Sequence, residues 1–197
     1  MKTAIKETFI LMAKLGIICI IVAGVLGYIN SLTAPVIKIN EQKNFESSMI
    51  QVMEKGDSFE ELKLSYIPEE TGVELDSVYS AKSGTENIGF VATAVCHEGY
   101  GGDITVMVGI NKDFTINRIK IMSMSETAGL GAKAGEEKFS SQYTGLSHNI
   151  GVEKNNGGSA ENNTISAISG ATVTSKAVTK AVNCAVDAAV IGGRINE

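Results

Sequence analysis

A run of 21 residues at positions 9–29, FILMAKLGIICIIVAGVLGYI, holds a single charge, Lys14, and constrains everything else in this 197-residue chain. About 20 consecutive apolar residues are what a helix needs to cross the hydrocarbon core of a bilayer. Lys14 lies near the start of the run, where a long side chain can reach back to the interface. A second register starts at Leu15 and runs to about Thr33, with Tyr28 near the far interface and Pro35 ending the helix. Either register gives one crossing. The rival reading is a cleaved signal peptide, because Lys2, Lys6 and Lys14 resemble a positive leader. No small-x-small cleavage pattern follows the apolar run, however, and Pro35 after Ala34 makes a poor cut. The run reads as an uncleaved anchor.

Charge then orients it. Residues 1–14 hold a net +2 of a chain total of −5, leaving −7 for the remainder. The positive-inside bias puts the short N-terminus in the cytoplasm and everything from about residue 35 on the outer face of the cell membrane. The expected organisation is a cytoplasmic N-terminus and transmembrane anchor over 1–34, a helical stalk over 35–57, and an extracytoplasmic domain over 58–197. An acidic outer domain without a basic patch excludes nucleic acid as its main partner. Cys19, Cys96 and Cys184 are odd in number and widely spaced, which gives no support to a zinc site or iron–sulfur cluster within the chain. A Cys96–Cys184 disulfide stays open.

Within the outer domain, 88–124 is the most legible stretch. IGFVATAVC, ITVMVGI and FTINRIKIMSM are β-rich runs separated by the turns HEGYGGD and NKD, which predicts consecutive antiparallel strands. ELKLSYI and VELDSVYSA, further upstream, have weaker β character. ETAGLGAKAGEEKFSSQY reads as a glycine-bearing loop leading to a short helix near Glu136, and NNGGSAENN as a flexible polar loop. From Thr174 to about Val190, Val178, Ala181, Val182, Ala185 and Ala189 share one helical face, with Gly192 and Gly193 as the stop. The fold class is α+β, an antiparallel sheet with flanking helices.

Chemistry is sparse. No nucleophile elbow, phosphate-binding glycine loop or H-E-x-x-H is present. What remains are three glycine-bearing loops, at 99–103, 126–132 and 169–174. In the last, Gly170 and Ala171 leave the backbone open to close approach, and Thr172 offers a hydroxyl just before a helix. A phosphate on Thr172 would be stabilised by the free N–H groups and positive dipole of that helix start. The plainer reading is that Thr172 or Thr174 is only an N-cap.

GYGG at 99–102, ETAGLG at 126–131 and SGATVTS at 169–175, in that order behind one anchor, resemble the FMN-binding domain of the G subunit of the Rnf complex. The C subunit of the sodium-pumping NADH:quinone oxidoreductase shares that domain. The resemblance covers essentially the whole chain, and its length fits the Rnf subunit better. It implies FMN joined by a phosphoester to Thr172, put there by a flavin transferase that takes FMN from FAD. It also makes Glu126, Thr127, Gly129, Leu130 and Gly131 candidate flavin contacts, with Ser169, Gly170 and Ala171 shaping the attachment loop. Two positions depart from the family pattern: Ser166 replaces an acidic residue, and Ala128 replaces a proline.

The function implied is an electron-carrier subunit, with no active site of its own, in an ion-translocating ferredoxin:NAD+ oxidoreductase. Its implied partners are the membrane subunits of that complex, including a second covalent-flavin subunit and a pair holding an intramembrane iron–sulfur cluster. A quinone-reductase subunit or a free-standing extracellular flavin carrier is the second reading. A structural membrane subunit without flavin is the third.

Overall fold

The computed structural model describes residues 2–64, 66–68, 70–154 and 157–195, and the side chains within them except those of residues 2–11, 13 and 195. Ser65 of the weak strand at 61–67, and Asn155 and Asn156 of the polar loop, lie outside the described residues. The chain divides into two compact units, Met1–Glu46 and Ser47–Glu197.

The first unit consists of one helix, α1 (Lys2–Val52), whose last turns belong to the second. Its stretch from Lys14 onward is long and apolar enough to cross a membrane. Side chains such as Ile20, Leu26 and Leu32 are exposed, as lipid-facing residues would be. The helix does not end at Pro35, as the proline suggested, but continues to Val52. Proline costs about 3 kcal/mol inside a helix because it removes one N–H and crowds the preceding turn. The 17 residues that follow, with no glycine or further proline before Gly56, favour helix strongly enough to outweigh that.

The second unit is built on a five-stranded antiparallel sheet in sequential order: β1 (Ser58–Glu61), β2 (Val73–Ser83), β3 (Glu86–Gly99), β4 (Gly102–Asn111) and β5 (Ile116–Met124). The three β-rich runs read from sequence are β3, β4 and β5. Upstream, β1 overlaps ELKLSYI only at Glu61. Leu62 N–H still donates to Val78 O, but the described residues from Leu62 to Pro68 form no strand. The chain then passes through short turns and α2 (Glu137–Ser140), near the helix expected at Glu136. Two three-residue strands follow, β6 (Gly151–Glu153) and β7 (Thr164–Ser166), paired in parallel. The last helix is α3 (Thr172–Ile195).

Alternation sets the core. Phe90, Ala92, Ala94 and Cys96 of β3 and Ile104, Val106, Val108 and Ile110 of β4 turn one face of the sheet toward α3. The helix answers with Val178, Ala181, Val182, Ala185 and Ala189, all fully buried, as their spacing indicated. Each valine so buried contributes roughly 1.5–3 kcal/mol. Gly192 and Gly193 lie inside α3 instead of stopping it. A Cβ on Gly193 would sit 2.9 Å from Phe114 Cζ, so the missing side chain lets the helix close on the Phe90–Phe114 stack. Tertiary packing overrides the local stop signal. Cys96 and Cys184 are both buried free thiols, and burial pushes each up, Cys184 to about 12.

The opposite face of the sheet is covered by the last turns of α1. Val52 and Met53 are buried there, Asn117 Nδ2 donates to Val52 O at 2.6 Å, and Lys120 Nζ reaches Ser48 Oγ at 2.9 Å. A Cβ on Gly109 would collide with the Val52 carbonyl. Gly109→Ala is therefore expected to destabilise this unit by about 1–3 kcal/mol, the usual cost of overpacking. Urea unfolding of the full chain in detergent measures the shift in midpoint.

Candidate functional site

All three glycine-bearing loops come together at one end of the sheet, where the β3–β4 turn, the loop after β5 and the start of α3 meet around Glu126. Glu126 Oε1 accepts a hydrogen bond from Gly101 N–H at 3.2 Å, and Oε2 accepts one from the Thr174 hydroxyl at 2.9 Å. The surrounding glycines are explained by this contact. A Cβ on Gly131 would strike Glu126 Oε2 and lie 2.7 Å from Thr174 Oγ1, and one on Gly99 would lie 2.9 Å from Glu126 Oε1. One on Gly101 would meet the Ser125 carbonyl. Larger residues at these positions would push the three segments apart.

The segment leading into α3 is a tight turn. Ala171 N–H donates to Ile168 O at 2.9 Å, and Gly170 occupies the third position with φ +77°, where glycine avoids the strain of a side chain. Ser175 braces it, its hydroxyl accepting from Ile168 N–H at 2.9 Å and donating to Ala171 O at 3.0 Å. Neither threonine is an N-cap. Thr172 is the first residue of α3, and Thr174 is spent on Glu126. Among the described residues, the half-buried Thr172 has no hydrogen-bond partner for its hydroxyl.

These segments enclose a cavity of about 520 Å³ lined by Glu126, Thr127, Leu130, Gly131 and residues 170–174, with Tyr100 across from them. That volume falls in the range of roughly 300–1,000 Å³ typical of small-molecule sites. Tyr100, Leu130 and Val173 form an apolar rim that is 76%, 45% and 52% exposed. A flat aromatic ligand would cover such a rim. The cavity gathers Glu126, Thr127, Leu130, Gly131, Gly170, Ala171 and Thr172 of the residues picked from sequence. It leaves out Gly129, whose φ of +78° shapes the loop, and Ser169, which lines a separate cavity with Ser166 and Lys133. Tyr100, Val173 and Thr174 were not among those picks, although all three lie inside the quoted motifs.

Ser166, the departure from the family pattern, is engaged in the fold. Its N–H donates to Gln142 Oε1 at 2.8 Å and its hydroxyl accepts from Gly158 N–H at 3.1 Å. His97 stands outside the cavity at the base of the turn that presents Tyr100. Its Nδ1 lies 2.9 Å from Asp103 Oδ1, and this bond, helped by Glu74, raises the imidazole above its ordinary value.

Residues 99–187 match the family described as the FMN-binding domain, a span that begins at GYGG and runs into α3. Over 188 residues the chain is 35% identical to the G subunit of the Na(+)-translocating ferredoxin:NAD(+) oxidoreductase complex of Acetobacterium woodii, covering 88% of this chain and 89% of that one. It is 28% identical to the G subunit of the proton-translocating ferredoxin:NAD(+) oxidoreductase complex of Clostridium ljungdahlii, covering 92% and 91%. The chain therefore belongs to the family of G subunits of the Rnf-type ion-translocating oxidoreductases. Its fold is that of NqrC from Shewanella oneidensis, with a TM-score of 0.50 at 19% identity over 60% of this chain and 59% of that one.

The His97–Asp103 pair gives a test of the turn. The charged imidazole is favoured in the folded state, so the pair supports the turn fully below the unfolded value of about 6.5. That support is lost as pH rises through the raised folded value. Asp103→Asn is expected to lower the His97 midpoint, read by NMR titration of its ring protons.

Proposed function

We propose that Thr172 carries FMN through a phosphoester and that the chain relays electrons as the flavin-bearing subunit of an Rnf-type complex. The observation that carries this is the free hydroxyl of Thr172, placed in the cavity at the first residue of a 24-residue helix. The unpaired N–H groups and positive dipole end of α3 suit a phosphate at that position. Tyr100, Leu130 and Val173 supply apolar surface to hold the ring and limit water around it. Ser169, Gly170 and Ala171 shape the turn that leaves Thr172 accessible, while Gly129 shapes the loop bearing Leu130. FMN, when attached, supplies reversible electron transfer, and the protein supplies position and electrostatics.

A covalent tether suits a domain outside the membrane, where a released cofactor would be lost to the medium. In this reading the α1 anchor crosses the cell membrane once, with its N-terminus cytoplasmic and the flavin domain on the outer face. Its neighbours are the other membrane subunits, including a second covalent-flavin subunit and the pair holding an intramembrane iron–sulfur cluster. A flavin transferase loads the site from FAD. Of the relatives named above, one belongs to a Na(+)-translocating complex and the other to a proton-translocating one.

The test is the intact mass of the denatured chain, produced with the flavin transferase, beside Thr172→Val. A mass increase of one esterified FMN, absent from the variant, is expected. An unmodified wild-type chain would overturn the attachment.

A further inference from the structure

We infer that Glu126 is a fixed negative charge that sets the reduction equilibrium of the flavin, a role that rests on the reading that Thr172 carries FMN. The carboxylate is held in one place. Gly101 N–H and the Thr174 hydroxyl engage its two oxygens, and Thr174 is itself 1% exposed and immobilised in the first turn of α3. Gly131 and Gly99 approach so closely that a Cβ on either would crowd the carboxylate oxygens. It is also uncompensated. It is the one charged side chain among the residues lining the cavity, and it makes no ion pair among the described residues.

The consequence follows from charge. A flavin ring that takes up two electrons and one proton gains one negative charge. In a cavity that partly excludes water, the repulsion between that charge and Glu126 exceeds its value in bulk water. The reduced form is disfavoured and the oxidised form favoured. The α3 dipole acts with the opposite sign, but it is unchanged when only residue 126 is altered.

Glu126→Gln isolates the charge. The amide oxygen can accept from Gly101 N–H, and the amide nitrogen can donate to Thr174 Oγ1, whose hydroxyl is free to turn. The full chain in detergent is loaded by the transferase, its flavin content is fixed by denatured mass, and it is titrated with dithionite against a dye of known potential. At a fixed potential the ratio of reduced to oxidised flavin is expected to rise by roughly three- to tenfold over wild type. Thr174→Val, which keeps the charge and loses one bond, is expected to shift the ratio by less than about twofold.

An unchanged ratio in fully loaded Glu126→Gln overturns the inference, as does an equal shift in Thr174→Val, which would assign the effect to position. If Glu126→Gln fails to load, Glu126→Asp against Glu126→Asn, alike in size and different in charge, reads the same effect at the same position. The aspartate should give the lower ratio, and equal ratios overturn the inference. A wild-type chain without flavin overturns the attachment reading itself, and the mass reveals that before any potential is read.

Discussion

Two hydrogen bonds to one carboxylate hold the candidate site together. Glu126 ties the β3–β4 turn to the start of α3, and the loop that follows it folds back so closely that Gly131 touches the same carboxylate. Each bond to a charged acceptor is worth about 1.5–3 kcal/mol. Hydrogen bonds within the loop, such as Ala132 N–H to Thr127 O at 3.2 Å, and the buried Ala134 share in holding this wall of the cavity. The sheet and α3 provide the rigid frame, and Glu126 converts it into a container.

The frame itself is conventional in its physics. Period-two alternation on β3 and β4 and a stripe of valine and alanine on α3 face one another, and the small residues let helix and sheet approach closely. Tyr143, fully buried, packs edge-on against Phe139 and shares a hydrogen bond of 2.8 Å with Thr179, which secures the irregular segment between β5 and β6 to the same helix. The N-terminal helix contributes in two ways: exposed apolar surface over the first unit, and the buried Val52 under the sheet.

Much of this was legible in the residues. The Val178–Ala189 stripe and the three strands between 88 and 124 follow from spacing and from the turn residues of HEGYGGD and NKD. Gly192 and Gly193 misled because their role is to admit neighbours from elsewhere in the chain, Phe90 and Phe114 at Gly193, a long-range contact that no local rule contains. The β6–β7 pair escaped because three residues are too few to show a period. At the site, the motifs marked the right loops but not the direction of each side chain. Helical geometry turns Thr174 inward to Glu126 and leaves the Thr172 hydroxyl without a hydrogen-bond partner among the described residues, while the turn before α3 puts Ser169 in a separate cavity. Tyr100 could be placed at the cavity only once the β3–β4 pairing was known.

The bonds that define the cavity join residues 25 and 48 positions apart, Gly101 to Glu126 and Glu126 to Thr174. Between them lie β4, β5, the short α2 and the β6–β7 pair. Joining residues so far apart along the chain carries a loop-closure entropy cost that local contacts avoid. The container is thus a property of chain continuity: no fragment lacking either residue 101 or residue 174 can contain it, and its presence reports that the second unit has closed from the β3–β4 turn to α3.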